Sequence, residues 1–196
     1  MIAIDEQAAT LLLKLARSSL TAYVQRQELH RVSWRSLPPS LQQKGSCFVT
    51  LMNCGRLRGC IGSTKGELPL AYDVTHNAVA AARDPRFEPV LPSELVDIRL
   101  EVTVLQPPIP LVYENEADLY HKLRPGQHGV IIAWRGRQAL LLPQVWQRVA
   151  EPGEFLEILC QKADIPWHVL HDVPPSVEVL IFEATRFEED GYYFRS

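Results

Sequence analysis

From Asp5 to about Gln27 the apolar residues recur at helical spacing, with Leu11, Leu12, Leu15, Ala16, Tyr23 and Val24 on one stripe and Asp5 placed to cap the start. Residues 31–46, with Trp34, Pro38, Pro39 and Gly45, break the period and predict an irregular connection. The run Cys47-Phe48-Val49-Thr50-Leu51-Met52 then leads into Asn53-Cys54-Gly55, which predicts a β-hairpin over about 47–62. A polar loop, Ser63-Thr64-Lys65-Gly66, precedes a second helix from Pro69 to about Arg83. Leu70, Val74, Ala78 and Ala81 form its buried stripe, which leaves Asp73, His76, Asn77 and Arg83 off it. Asp84-Pro85 ends this helix, because a residue before proline avoids the α region. Ile98 to Val104 alternates as a strand, and Pro107, Pro108 and Pro110 close the half.

The second half repeats this order. A short helix spans about Asn115 to Leu123, and a hairpin runs from Gly129 through Arg135-Gly136-Arg137 to Leu142. Pro152 opens a helix through Phe155, Leu156, Leu159 and Ala163, and a last strand covers about Val177 to Thr185. Helix, hairpin, helix and strand thus occur twice, in halves of about 5–105 and 115–187. Short connections between them predict one intertwined α+β domain over residues 1–196, with both hairpins in one sheet system. Aligning the turns on Gly55-Arg56 and Gly136-Arg137 sets Cys60 against Leu141 and Arg58 against Ala139. The second copy fills with aliphatics the positions where the first carries its chemistry.

At 196 residues, 46% of them hydrophobic and 22% charged, the chain suits a globular domain. A net charge of −3 with dispersed Lys and Arg argues against nucleic acid as a partner. No apolar run reaches the ~18 residues of a membrane helix, and the start has no basic segment leading into a signal-type core. Cys47, Cys54, Cys60 and Cys160 form no CxxC pair, so free thiols in a reducing cytoplasm are expected. The six histidines never fall into a metal spacing with cysteine, and His168 and His171 sit in a Pro-Trp loop expected at the surface. Walker A, serine-hydrolase and zincin patterns are absent.

The most unusual chemistry lies in Leu57-Arg58-Gly59-Cys60-Ile61-Gly62. Strand alternation sets Arg56, Arg58 and Cys60 on one face, with Leu57 and Ile61 turned to the core. A neighbouring guanidinium favours a thiolate, and glycines at Gly59 and Gly62 mark a place where a ligand or another backbone comes close. Against this, cysteine usually behaves as a small buried hydrophobe. Arg56, Arg58 and the helix start near Pro69 could hold an anion, although a solvated basic patch is the stronger account of them. His76 and Asn77 could supply a base and an orienting group, and Glu101 could neighbour Cys60 if its strand joins the hairpin's sheet. Exposed polar faces are the plainer account of all three.

The hexapeptide is the signature of the AMMECR domain family, whose bacterial and archaeal members are labelled AmmeMemoRadiSam system protein A. The resemblance extends through Phe48-Val49-Thr50-Leu51, Asn77-Ala78, Asp84-Pro85-Arg86-Phe87, Gly129 to Ile132, Leu140 to Val145 and Phe155-Leu156 with Leu159 to Ala163. It departs between Val145 and Phe155, where a Gly-Trp and acidic residues are usual. The resemblance implies two repeats sharing one curved, barrel-like sheet, and links the chain to a Memo-type protein and a radical SAM protein. It brings no established reaction and no cofactor. Two functions follow. One is a reactive thiol at Cys60 in a ligand or catalytic cleft, with Arg58 stabilising it or a small anionic ligand. The other is a non-catalytic adaptor or specificity subunit.

Overall fold

The computed structural model describes residues 2–26, 36–171 and 176–189. They divide into two compact units. One comprises the chain up to Gln106 with the segment from Thr185 onward, the other Pro107–Ala184.

In the first unit, α1 (Glu6–Arg26) begins as expected, with the Asp5 carboxylate accepting the Ala8 N–H at 2.8 Å. Gln27, His30 and Trp34 lie outside the described residues. A short helix, α2 (Pro39–Gln42), interrupts the stretch expected to be irregular. The hairpin is β1 (Ser46–Asn53) and β2 (Arg56–Gly62), joined by a turn with both central residues left-handed, Cys54 at φ 49° and Gly55 at φ 75°. Helix α3 (Leu70–Ala81) and strand β3 (Ile98–Leu105) follow. Val49, Leu51, Leu100 and Val102 form the core face of this sheet, in one cluster with Leu12 and Leu15 of α1 and Leu70, Val74 and Ala78 of α3.

The second unit holds β4 (Ile109–Pro110), α4 (Glu116–Lys122), the hairpin β5 (Gly129–Trp134) and β6 (Arg137–Leu141), α5 (Pro152–Ala163) and β7 (Glu178–Phe182). Asn115 caps α4 by accepting the Asp118 N–H at 3.0 Å. Its core gathers Val130, Ile132, Val179 and Ile181 with Phe155, Leu156 and Leu159.

The α+β class stands, but the single barrel-like sheet does not. With a last strand β8 (Ala184–Glu188), the strands form two four-stranded antiparallel sheets, β2-β1-β3-β8 and β4-β7-β5-β6, with one hairpin in each and no closed barrel among the described residues. The reason is local. Each hairpin's first strand takes the next long strand on its free side, β3 on β1 and β7 on β5, so the two hairpins never pair. The single strand expected over 177–185 is two strands, and the second, β8 (Ala184–Glu188), joins the first sheet. Conversely β4 follows β3 in the chain but pairs with β7.

Both sheets run in the same order from the hairpin's second strand, which makes their registers comparable. In the first, Thr50 pairs with Cys60, Leu51 with Gly59 and Met52 with Leu57, so a bulge leaves Arg58 as an extra residue. The second has no such bulge, and Ile131 pairs with Leu140. Counted from the turns, Cys60 therefore corresponds to Leu140 rather than Leu141. Arg58 has no counterpart.

Candidate functional site

The bulge also changes what the hexapeptide presents. Leu57 and Cys60 fall on the face of Thr50 and Met52, opposite to the core, and Leu57 is 42% exposed instead of buried. Ile61 packs against the core as expected. Arg58 does not flank the thiol. Its Nε and Nη2 hold the two carboxylate oxygens of Glu94 at 2.7 and 2.9 Å, and it donates to the carbonyls of Glu88 and Pro89 at 2.8 and 3.2 Å. That grip keeps the Glu94 carboxyl below its ordinary pKa. Arg56 is exposed.

The two glycines make room for the protein itself. A Cβ on Gly59 would lie 2.2 Å from the Ala81 carbonyl oxygen at the end of α3, and one on Gly62 would lie 2.3 Å from the Phe48 ring across the hairpin. Between them, Cys60 is held by its main chain. Its N–H donates to Asp84 Oδ2 at 2.9 Å, and its carbonyl accepts from Arg86 Nη2 at 3.2 Å. Asp84 is buried and also accepts from the N–H and Nε of Arg86, which together hold its carboxyl well below the usual carboxylate range. The guanidinium beside Cys60 is thus Arg86, not Arg58. By its residue types Asp84-Pro85-Arg86-Phe87 reads in the sequence as a helix stop. Its charged pair, at a spacing of two, was the available signal.

The Cys60 side chain is half-buried and accepts a hydrogen bond from the Thr50 hydroxyl at 3.3 Å. On the other side of Thr50 stands Glu101, its partner on β3. Cys60 and Glu101 therefore share a row across the sheet, two strand spacings or about 10 Å apart, too far for direct contact. Beyond Glu101, Arg186 of β8 approaches its carboxylate at 3.6 Å. Burial, with Glu188 adding, pushes the Glu101 carboxyl up, while Arg186 opposes. Glu101 also lines an open cavity of about 460 Å³ with Met52, Cys54, Val96, Asp97 and Arg99; Cys60 does not line it. The corresponding row in the second sheet is Leu140, Ile131 and Leu180, entirely aliphatic.

His76 is exposed on α3, as expected, but Asp73 and Asn77 are buried. The Asn77 amide donates to Asp73 Oδ2 at 2.9 Å and to the Cys47 carbonyl at 3.0 Å, while Asp73 accepts from Cys47 N–H at 2.8 Å and from the Ser63 hydroxyl at 2.7 Å. This satisfied cluster ties α3 to β1. It offers no base to Cys60. The first N–H of α3, on Leu70, is taken by the Gln43 carbonyl at 2.9 Å. Among the described residues no group of three or more His, Cys, Asp or Glu side chains is placed to hold a metal, and no helix is long and apolar enough to cross a membrane.

The AMMECR1 family model matches residues 13–187, and the chain belongs to that family. It is similar to a protein of Methanothermobacter thermautotrophicus, 41% identical over 184 residues that cover 92% of this chain and 93% of the relative. A protein of Methanopyrus kandleri is 36% identical over 190 residues, covering 91% and 87%. The crystal structure of an uncharacterised protein from Pyrococcus horikoshii matches with a TM-score of 0.88 and 32% identity over 95% of this chain and 94% of that one.

Proposed function

We propose that this single AMMECR domain is a non-catalytic adaptor or specificity subunit, the protein A of an AmmeMemoRadiSam set, acting in the cytoplasm with a Memo-type protein and a radical SAM protein. The observation that carries this reading is how the hexapeptide is used. Arg58 is committed to Glu94, Gly59 to the end of α3, Gly62 to Phe48 and the Cys60 main chain to Asp84 and Arg86. The signature therefore shapes a surface. What it presents there is the exposed Leu57 and the polar row Cys60–Thr50–Glu101, a row that is wholly aliphatic in the second unit.

Replacing the row by its aliphatic counterparts, Cys60→Leu with Thr50→Ile and Glu101→Leu, tests the reading. The variant should keep its fold and lose capture of the purified radical SAM and Memo-type proteins. Undiminished capture by a folded variant overturns it.

A second reading keeps the thiol functional, as a site for a small electrophilic or anionic ligand beside Arg86. It is favoured by the half-buried Sγ and its Thr50 hydrogen bond. Alkylation kinetics separate the two.

A further inference from the structure

Strand β2 is the outer strand of the first sheet, and an outer strand offers its unpaired N–H and C=O groups to any other chain. Both main-chain groups of Cys60 point to that open side, since Asp84 and Arg86 meet them there. The carboxylate accepts and the guanidinium donates, which is what one residue of a neighbouring strand would do. The same short segment is pinned further along, where Arg58 reaches the Glu88 and Pro89 carbonyls and the Glu94 carboxylate. Residues 84–94 thus lie along β2 as a strap fastened at both ends.

The second sheet supplies an independent observation. Its outer strand β6 has Leu140 at the position of Cys60, and the Leu140 carbonyl accepts from Lys162 Nζ of α5 at 3.0 Å. Two unrelated side chains, one from a loop and one from a helix, cover equivalent carbonyls. What the two share is the edge.

We propose that residues 84–94 are an edge guard that prevents β2 from pairing with a second copy of this chain, with Asp84 and Arg86 as the latch. The second copy is the matching occupant because antiparallel pairing about Cys60 is self-complementary. Each Cys60 N–H meets the other's carbonyl, in a two-fold contact. In that register Arg58 faces Gly62 of the other copy, so the guanidiniums do not confront each other. The exposed Leu57 adds apolar surface beside the pair. Cα atoms of such a pair lie about 5.5 Å apart, within reach of a disulfide.

Arg86→Ala is the main test, since this side chain is 56% exposed and its loss leaves the buried carboxylate in place. Asp84→Ala with Arg86→Ala removes the latch completely. Hydrogen exchange at the Cys60 amide should quicken about tenfold or more in the double variant, as expected for loss of hydrogen bonds to charged groups. Sedimentation should show a concentration-dependent dimer, and diamide as oxidant should join it through Cys60, two thiols giving one disulfide. An Arg86→Ala or double variant that melts cooperatively yet stays monomeric overturns the proposal. So does a dimer that diamide does not join at Cys60.

Discussion

Arg58 and Glu94 meet through two parallel hydrogen bonds, Nε to Oε1 at 2.7 Å and Nη2 to Oε2 at 2.9 Å, with side chains only 17% and 22% exposed. The arginine of the hexapeptide is therefore a fastening for the loop after α3. Arg58→Ala should lower unfolding stability by about 1–3 kcal/mol, the range for charge-assisted hydrogen bonds at a partly screened site. Urea denaturation measures this. Because Glu94 holds the guanidinium, the alkylation rate of Cys60 in the folded variant should match the parent.

Gly59 and Gly62 should fail differently when enlarged. Gly59→Ala drives a methyl into a helix-end carbonyl, which is backbone and cannot step aside, so a loss of roughly 3 kcal/mol or more is expected. Gly62→Ala meets the Phe48 ring, a side chain, and Phe48→Leu should recover part of the loss in the double variant. Gly55→Ala has open space but a φ of 75°, and should cost only about 1 kcal/mol. Thermal melts of the four variants give the order.

Hydrophobic spacing made α1, α3, α4, α5 and both hairpins legible, since these helices fall on the stripes read from the sequence, while the four-residue α2 is too short to carry one. The sheets were less so. Which strand pairs with which is set by non-local contacts, and the break at Glu183 that sends β8 to the first sheet has no local mark. At the site, Cys60, Thr50 and Glu101 could be aligned only once β3 was known to pair with β1. The bulge at Arg58 was the costliest omission. It adds a residue to β2, turns Leu57 outward, removes Arg58 from the thiol and moves the repeat alignment by one.

Acid should loosen the strap before it unfolds the cores. Asp84 and Glu94 both have carboxyls held below their ordinary values by Arg86 and Arg58. A depressed folded pKa means stabilisation that is fully present above the unfolded values, about 4, and is lost as pH falls through the folded ones. Stability should fall with decreasing pH below about 4, and Asp84→Asn should flatten that dependence while lowering stability near neutrality. Glu101 has the opposite sign, because burial raises its carboxyl. Glu101→Gln should raise stability slightly near neutral pH, and lose that advantage as acid protonates the parent. Denaturation midpoints from pH 2 to 8 test both signs.

The cysteines should separate into three classes on alkylation. Cys54 is exposed at a hairpin turn and has free access to reagent, so it should react first with iodoacetamide at pH 7. Cys47 and Cys160 are buried, and burial pushes both thiols up, that of Cys160 to about 11, so both should stay inert until the protein unfolds. Cys60 lies between. Its sulfur is half-buried and accepts the Thr50 hydroxyl, while its neighbouring guanidinium, Arg86, is turned to the main-chain carbonyl and to Asp84. A thiol so placed should alkylate more slowly than Cys54, because its sulfur is less open to the reagent. Mass-spectrometric mapping of adducts from pH 6 to 9 reads all four sites in one series. If Cys60 instead outpaces Cys54 at pH 6 to 7, and Arg86→Ala abolishes the difference, the thiolate is stabilised in place. The signature would then be a reactive centre, and the adaptor reading would have to give way.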